Sequence, residues 1–153
     1  MRPQRHIIAS TFSGIAIWVI GRNLPAGIIL FLGGVMPDID HVAEFIIHRG
    51  IGGISVKKVY EAFSPEHDPL FDKLYLFAHS IELVIILWLA AVFINNIYLI
   101  ALAAGYALHL IMDVGGNHLS RYFYFFIWRM HKKFEVNKLF KKEVNDGFRR
   151  SNN

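Results

Sequence analysis

Apolar runs separated by short polar stretches dominate the first part of this chain. Residues 7–20 are apolar apart from two serines and a threonine, whose hydroxyl groups a helix can satisfy internally. A turn at residues 21–25 separates this run from a second one, residues 26–36. Both runs predict apolar helices. Each is shorter than the roughly 20 residues that cross a bilayer squarely, so buried core helices would give the same pattern.

The longest apolar stretch lies in the second half of the chain. Residues 83–108 contain no charged side chain, and only Asn95-Asn96 interrupts their apolar character. This pattern predicts a hairpin of two membrane helices, about residues 80–94 and 97–112, with a tight turn at the asparagines. Together with the first two runs, it predicts an all-α integral membrane bundle of about four transmembrane helices.

Further helices are predicted to lie along the membrane surface rather than to cross it. Pro37 disfavours the helical region for Met36, so the second helix should end there. Asp38 then occupies the position of an N-cap, and apolar residues follow it at helical spacing for about three turns. Residues 56–63 suggest another short amphipathic turn. We therefore expect interfacial amphipathic helices beside the bundle.

The C-terminal part is aromatic and then basic. Residues 122–128 form a short aromatic cluster of the kind that favours a membrane interface. From Met130 onwards basic and apolar residues alternate, which predicts a basic amphipathic helix on anionic lipid; a solvated tail helix would give the same pattern. These features divide the chain into a membrane-embedded domain, residues 1–128, and a basic cytoplasmic tail, residues 129–153.

Composition narrows the chemistry that the chain can perform. Hydrophobic residues make up 54% of it, which is high for a soluble domain of this length. There is no cysteine, so a metal site would have to use imidazole and carboxylate groups, which suit zinc or manganese. The N-terminus combines a basic start with an apolar run, but no small-residue cleavage site follows, which predicts a retained membrane helix.

Histidines and aspartates stand at the ends of the apolar runs, not inside them. With four spans of alternating direction, these ends all fall on one side of the membrane. Of the 16 lysines and arginines only Arg22 falls on the other side. Positive residues stay cytoplasmic, so we expect an inner-membrane protein with this side and both termini in the cytoplasm. The residues expected to converge as metal ligands are His6, Asp38, Asp40, His79, His109 and Asp113.

This ligand set predicts a site for one or more divalent ions, with zinc favoured and manganese as the alternative. His109 and Asp113 are four residues apart, so both can reach one ion from one helix face. Metal-activated water attacking a phosphoester or an amide is the expected chemistry. Asp40 and Glu82 are the candidate catalytic residues, although Glu82 would also serve as a histidine partner or an interfacial acid.

The remaining histidines carry weaker signals. His41 and His118 are candidate additional ligands or surface residues, and His48, His67 and His131 are expected at the surface. Taken singly, an ionisable residue at a helix end is as well explained as a boundary marker. The joint placement of six such residues on one side favours a site.

Three other functions compete with a hydrolase. A divalent-metal binding or transport protein would need ionisable residues along a path through the membrane, which the uncharged residues 83–108 disfavour. A non-catalytic membrane anchor would recruit a partner through its basic tail. A soluble helical domain would need no detergent. For the hydrolase we expect membrane lipid and a small-molecule or lipid phosphoester as partners, and no nucleic acid.

Three motifs resemble those of the YdjM-type inner-membrane metal-dependent hydrolases. They are Gly33-Gly34-Val35-Met36-Pro37-Asp38-Ile39-Asp40-His41, His79-Ser80 and His109-Leu110-Ile111-Met112-Asp113. The last motif is also similar to one in the zinc-dependent phospholipase C and single-strand nuclease superfamily. That resemblance implies a zinc cluster held by His6, Asp38 or Asp40, His79, His109 and Asp113. In many members an arginine-bearing segment directly precedes the His-Ser pair. Here residues 50–78 intervene after His48-Arg49, as a possible substrate lid or partner surface.

Overall fold

The fold is all-helical in every part of the chain that the computed structural model describes, namely residues 3–52, 54–62, 71–116 and 122–139. Its β-structure there is a single isolated bridge between Lys73 and Glu135. The helices are α1 (Pro3–Gly21), α2 (Leu24–Val35), α3 (Ile39–Arg49), α4 (Val56–Ala62), α5 (Ile81–Ile94), α6 (Ile97–Gly116), α7 (Phe126–His131) and α8 (Val136–Leu139), with a 3-10 turn at Met36–Asp38 between α2 and α3.

Two helical stretches are long and apolar enough to cross a membrane. One is Leu24–Arg49, in which α2, the 3-10 turn and α3 follow one another over 26 residues, and the other is α6, with 20 residues. The apolar helix α5 has 14 residues and is shorter than a full span. The all-helical prediction is confirmed, and the expectation of a membrane bundle has two candidate spans behind it.

Asparagine side chains and left-handed backbone form the turns that join the helices. Asn23 caps α2 by accepting a hydrogen bond from the backbone N–H of Ala26 at 3.0 Å. Asn95 ends α5 with a φ of 52°, in the left-handed region that asparagine tolerates. Asn96 then accepts from the N–H groups of Tyr98 and Leu99. The predicted turn at the asparagines is confirmed, and the side chains of Asn23 and Asn96 satisfy N–H groups that helix starts leave open.

The junction at Pro37 differs from the prediction. Helix α2 does end at Val35, but Met36 has φ −56° and ψ −35°, which is helical backbone. Pro37 is accommodated inside a 3-10 turn, where a missing N–H costs little. Asp38 stands at the N-cap position of α3 but makes no capping hydrogen bond there. The expectation that Met36 leaves the helical region is therefore wrong, and the helical path continues from α2 into α3.

Helices α1, α2 and α6 pack through small residues. Gly14 of α1 faces Gly27 of α2 so closely that a Cβ atom on Gly14 would lie 2.7 Å from the Gly27 carbonyl oxygen. A Cβ atom on Gly33 would lie 2.5 Å from the carbonyl oxygen of Leu102 in α6. A Cβ atom on Gly105 would overlap the carbonyl oxygen of Leu30. Backbone therefore touches backbone, as in closely packed membrane helices.

A cluster of buried apolar side chains covers one end of the bundle. Its buried members come from the loop after residue 71, from α6 and from the C-terminal segment: Leu74, Leu76, Leu110, Phe123, Tyr124, Val136 and Leu139. Lys133 and Phe134 have φ of 56° and 59°, so the backbone turns between α7 and α8. The tail helix predicted from Met130 is thus interrupted within the described residues, and residues 140–153 lie outside them. The division predicted at residue 128 stays a prediction, although residues 129–139 pack on the rest of the chain.

Candidate metal centre

The contact between α1, α2 and α6 also sets the positions of three predicted ligands. Ser10, Gly34 and Gly105 meet where these helices touch, because a Cβ atom on Gly34 would collide with the Ser10 hydroxyl and lie 3.5 Å from the Gly105 carbonyl oxygen. Residues four apart lie on one helix face. One turn beyond this contact, each helix leads to one predicted ligand: His6 on α1, Asp38 after α2 and His109 on α6. The close helix approach therefore brings these three side chains together in the next layer.

His79, His109 and Asp113 form the tightest part of the cluster. The two histidine Nε2 atoms are 3.4 Å apart, and each lies 3.6 Å from Oδ2 of Asp113. All three side chains are buried. Tetrahedral zinc with bonds of about 2.0–2.2 Å separates its ligand atoms by about 3.3–3.6 Å. The spacing of these three atoms therefore fits a zinc-sized ion.

Hydrogen bonds indicate which nitrogens face inwards. Nδ1 of His109 lies 2.9 Å from the carbonyl oxygen of Gly34, which can only accept, so Nδ1 donates and carries the proton. Nδ1 of His79 lies 3.5 Å from Oδ2 of Asp40, which favours the same tautomer. Both Nε2 atoms then present lone pairs to each other and to Asp113. Lone pairs that converge in this way repel one another unless a proton or a metal cation lies between them.

His6 provides independent support for a bound cation. Its ring is 1% exposed and stacks on His109, with ring centroids 4.0 Å apart. Nε2 lies 3.2 Å from Oδ1 of Asp113, but neither nitrogen of His6 has a hydrogen-bond partner with acceptable geometry among the described residues. Buried polar atoms are rarely left unsatisfied. His6, Asp38 and His109 each offer an atom to a second group in which all ligand atoms lie within 4.8 Å of one another.

One edge of the cluster is open to the surroundings. The side chain of Asp38 is 18% exposed and that of His41 is 25% exposed, whereas those of His6 and His109 are fully buried. Asp38 and His41 form a third group with His79, again with ligand atoms within 4.8 Å. His41, which the sequence left open as ligand or surface residue, thus lies at the cluster. Among the described members of the cluster, the side chains of Asp38 and His41 are the most exposed.

Asp40 lies behind His79 and not among these three groups. Its Oδ2 accepts a hydrogen bond from the backbone N–H of Ala78 at 2.6 Å and lies 3.5 Å from Nδ1 of His79. A carboxylate on the far nitrogen of a metal-binding histidine fixes the ring and raises its basicity. Asp40 was predicted as both ligand and catalytic residue. Its contacts fit the orientation of His79 best.

Glu82 lies away from the cluster. Its carboxylate accepts hydrogen bonds from the backbone N–H groups of Phe126 and Ile127, at 2.9 and 3.1 Å, where α7 begins. Glu82 therefore provides an acceptor for backbone N–H groups that have no partner within the first turn of α7. A catalytic role for Glu82 stays a prediction, and nothing among its described contacts joins it to the histidines.

Two further histidines of the described residues, His48 and His131, are not brought to the cluster. His131 is exposed, as expected for a surface residue. His48 is only partly exposed, because it lies 3.1 Å from a carboxylate oxygen of Glu44 and stacks on Phe71. His67 and His118 lie outside the described residues.

Three side chains that support the cluster did not stand out in the sequence. Glu44 and Arg129 are 1% and 0% exposed and both bind the backbone of the loop that carries His79. The hydroxyl of Tyr106 donates to the carbonyl oxygen of Ala78 at 2.5 Å. All three bind backbone groups far away in the chain, and such contacts leave no periodic signal. An arginine inside an aromatic segment, as Arg129 is, was the one available hint.

The described part of the chain thus contains buried histidine and aspartate groups that could hold a metal ion. Comparison with protein-family models, with curated proteins and with solved structures gives no match for this chain. The interpretation of the cluster therefore depends on its own geometry.

Proposed function

We propose that this protein is a membrane-bound, zinc-dependent hydrolase that cleaves a phosphoester with water. The observation that carries the proposal is the buried triangle of His79, His109 and Asp113, whose edges of 3.4–3.6 Å match zinc coordination. The carboxylates of Asp38, Asp40 and Asp113 bring three negative charges to the histidines, and such a site favours one or more divalent cations.

The proposal includes four membrane spans. Besides the two candidate spans, α1 and α5 complete a bundle whose outer faces are apolar. Phe93 is 92% exposed and Ile20 is 84% exposed, which suits lipid better than water. Helix α5 has 14 residues, about 21 Å at 1.5 Å per residue, so the bilayer would thin there or its flanking residues would reach the interface. Arg22 then marks the outer side, and the metal centre faces the cytoplasm.

Each described residue has a distinct part in the proposed reaction. A bound zinc ion would lower the pKa of water and neutralise developing phosphate charge. His79, His109 and Asp113 hold the ion, and Asp40 keeps the ring of His79 in the binding tautomer. Asp38 lies at the open edge, and its Oδ2 atom has no hydrogen-bond partner among the described residues. It is therefore the carboxylate best placed to take the proton of the attacking water.

We infer the substrate class from the residues next to Asp38 in the sequence. Met36 and Ile39 are 51% and 60% exposed and lie on either side of Asp38 in sequence. Apolar side chains beside a charged entrance suit a molecule with an apolar part and a phosphate head. We therefore favour a membrane lipid phosphoester over a fully soluble one.

Activity on two kinds of substrate tests this proposal. Purified protein in detergent and in vesicles is loaded with zinc and given a soluble aryl phosphodiester and, separately, phospholipid. We expect release of a phosphorylated or dephosphorylated product, which His79→Ala abolishes and His131→Ala leaves unchanged. The second variant controls for loss of any histidine. Hydrolysis of the soluble diester alone would contradict the lipid assignment.

A non-catalytic zinc-binding protein is the second candidate. It is favoured by the burial of the ligands, since the side chains of His6, His79 and His109 are at most 2% exposed. A structural or storage site needs no open coordination position. Protein that binds zinc tightly and hydrolyses neither substrate would support this candidate over the hydrolase.

A further inference from the structure

The loop that delivers His79 has little regular structure of its own. Residues 71–80 lie between α4 and α5 and contain one bridge residue, Lys73, with no helix or strand. Leu76 within this loop has a φ of 41°, a left-handed conformation that costs a branched side chain roughly 1–2 kcal/mol. The loop therefore needs partners outside itself to hold a buried histidine in one place.

Glu44 binds this loop on its amide side. The Glu44 side chain is 1% exposed. It accepts hydrogen bonds from the N–H groups of Tyr75 and Leu76, at 2.8 and 3.0 Å. Hydrogen bonds from backbone amides to a buried carboxylate are among the stronger ones in proteins. The turn at Leu76 is thus tied to α3, the helix that also carries Asp40.

Arg129 binds the same loop on its carbonyl side. Its guanidinium donates to the carbonyl oxygens of Tyr75 and Leu76, and to that of His79 at 3.1 Å. The rings of Phe123 and Phe126 lie 5.2 and 5.6 Å from it. Burial lowers the pKa of Arg129 to about 10, which still leaves the group charged at neutral pH.

Burying the charge of Arg129 costs free energy, because the guanidinium loses its hydration. Among the described residues Arg129 is fully buried, forms no ion pair and leaves its Nε atom without a partner. The carboxylates of Asp40, Glu82 and Glu44 offset part of this charge without forming an ion pair, but the guanidinium still loses its hydration. An apolar side chain of similar size would fill the same space with a smaller loss of hydration, but it could not donate hydrogen bonds to three carbonyl groups of one loop.

From this arrangement we infer that Arg129 is a positioning residue for the proposed metal centre. Glu44 accepts from the amides of residues 75 and 76 and Arg129 donates to their carbonyl groups, and Arg129 also holds the His79 carbonyl. The pair fixes the direction in which the His79 ring enters the cluster. This inference rests on the proposed metal site for its effect on zinc binding, and on the hydrogen bonds alone for its effect on the loop.

The variants are Arg129→Lys, which keeps the charge but loses the planar fork, and Arg129→Met, which keeps the approximate length. Arg49→Lys is the matched control, because Arg49 is exposed at the end of α3. Zinc affinity is measured in detergent by competition with a chromophoric chelator. We expect both Arg129 variants to bind zinc at least about tenfold more weakly than the wild type. A loss of this size is typical when a contact that supports a metal ligand is removed. Arg49→Lys should bind zinc like the wild type.

A double-mutant cycle separates positioning from general damage. If Arg129 acts through His79, Arg129→Lys weakens zinc binding by more in the wild type than in the Asp40→Asn background, where another support of His79 is already lost and zinc binding is still measurable. An equal loss in both backgrounds would overturn the inference, as would wild-type zinc affinity in both Arg129 variants.

Amide hydrogen exchange of the metal-free protein decides the same question without zinc. We expect at least about tenfold faster exchange across residues 74–79 in Arg129→Lys, with unchanged exchange in α6. Unchanged exchange in residues 74–79 would overturn the inference. Wild-type protein that binds no zinc would contradict the proposed function, and this exchange result would still decide the role of Arg129.

Discussion

Replacing Gly33 by alanine tests whether close helix packing positions the ligands. An added Cβ atom would lie 2.5 Å from the carbonyl oxygen of Leu102 and 3.2 Å from its carbonyl carbon. Both are rigid backbone atoms. Helices α2 and α6 would have to separate by about 1 Å to restore ordinary contact distances. The next residue, Gly34, accepts the 2.9 Å hydrogen bond from His109, so the same movement would break it.

The expected loss of stability comes from overpacking, and the expected loss of zinc affinity comes from the broken His109 hydrogen bond. Forcing an extra methyl group into a packed contact costs about 1–3 kcal/mol of unfolding free energy. At about 2–4 °C per kcal/mol for a chain of this size, we expect the thermal unfolding temperature in detergent to fall by roughly 2–12 °C. Zinc affinity should fall by about tenfold, because the ring of His109 loses the hydrogen bond that fixes its tautomer.

Gly115→Ala is the control for this substitution. Gly115 lies in the same helix as His109, and an added Cβ atom would meet nothing within 4 Å. Alanine there should leave zinc affinity unchanged and stability equal or slightly higher, since alanine is the better helix former. A Gly33→Ala protein with wild-type unfolding temperature and zinc affinity would refute the idea that the α2–α6 contact sets the ligand geometry.

Two further substitutions separate support of the site from support of the fold. Asp40→Asn should weaken zinc binding by about 10–100-fold while the unfolding temperature changes little, because the amide is a poorer partner for Nδ1 of His79; chelator competition measures the first and a thermal scan the second. Glu82→Ala should do the opposite: it removes the acceptor at the start of α7, costs about 1 kcal/mol of stability and leaves the zinc content intact. A zinc loss in Glu82→Ala larger than that in Asp40→Asn would show that the two carboxylates have been assigned the wrong way round.

The convergence of the ligands could be predicted because it depends on topology. Apolar runs that alternate in direction bring their like ends together, and this argument placed six predicted ligands at one end of the bundle: His6, Asp38, Asp40, His79, His109 and Asp113. The ligand atoms of all but Asp40 lie in the three candidate groups there. The spacing of four between His109 and Asp113 likewise needs only helix geometry.

The path of the backbone near Pro37 could not be read from the same rules. The preference of the residue before proline for extended backbone is a tendency, and here Met36 keeps helical backbone within a 3-10 turn instead. Asp38 was expected to cap α3. Its carboxylate instead faces His109, with 3.8 Å between Oδ1 and Nε2.

The conformation of the loop with His79 could not be predicted from the sequence. Its conformation depends on Glu44 and Arg129, which lie more than thirty residues before and fifty residues after the amides and carbonyls they bind. Hydrogen bonds to backbone groups do not specify the side chain of the partner, so no pairing pattern appears in the sequence. The packing of α8 escaped prediction for a similar reason, because its two buried residues, Val136 and Leu139, look like those of any short amphipathic helix.

Elemental analysis of the purified protein tests the central claim most directly. Wild-type protein in detergent is compared with His109→Ala, Asp113→Ala and the exposed-histidine control His131→Ala, after zinc loading and removal of free metal. We expect at least one equivalent of zinc in the wild type and in the control, and its loss in the two site variants. Wild-type protein without bound metal after loading with zinc or manganese, or full zinc content in both site variants, would contradict the assignment of this cluster as a metal centre.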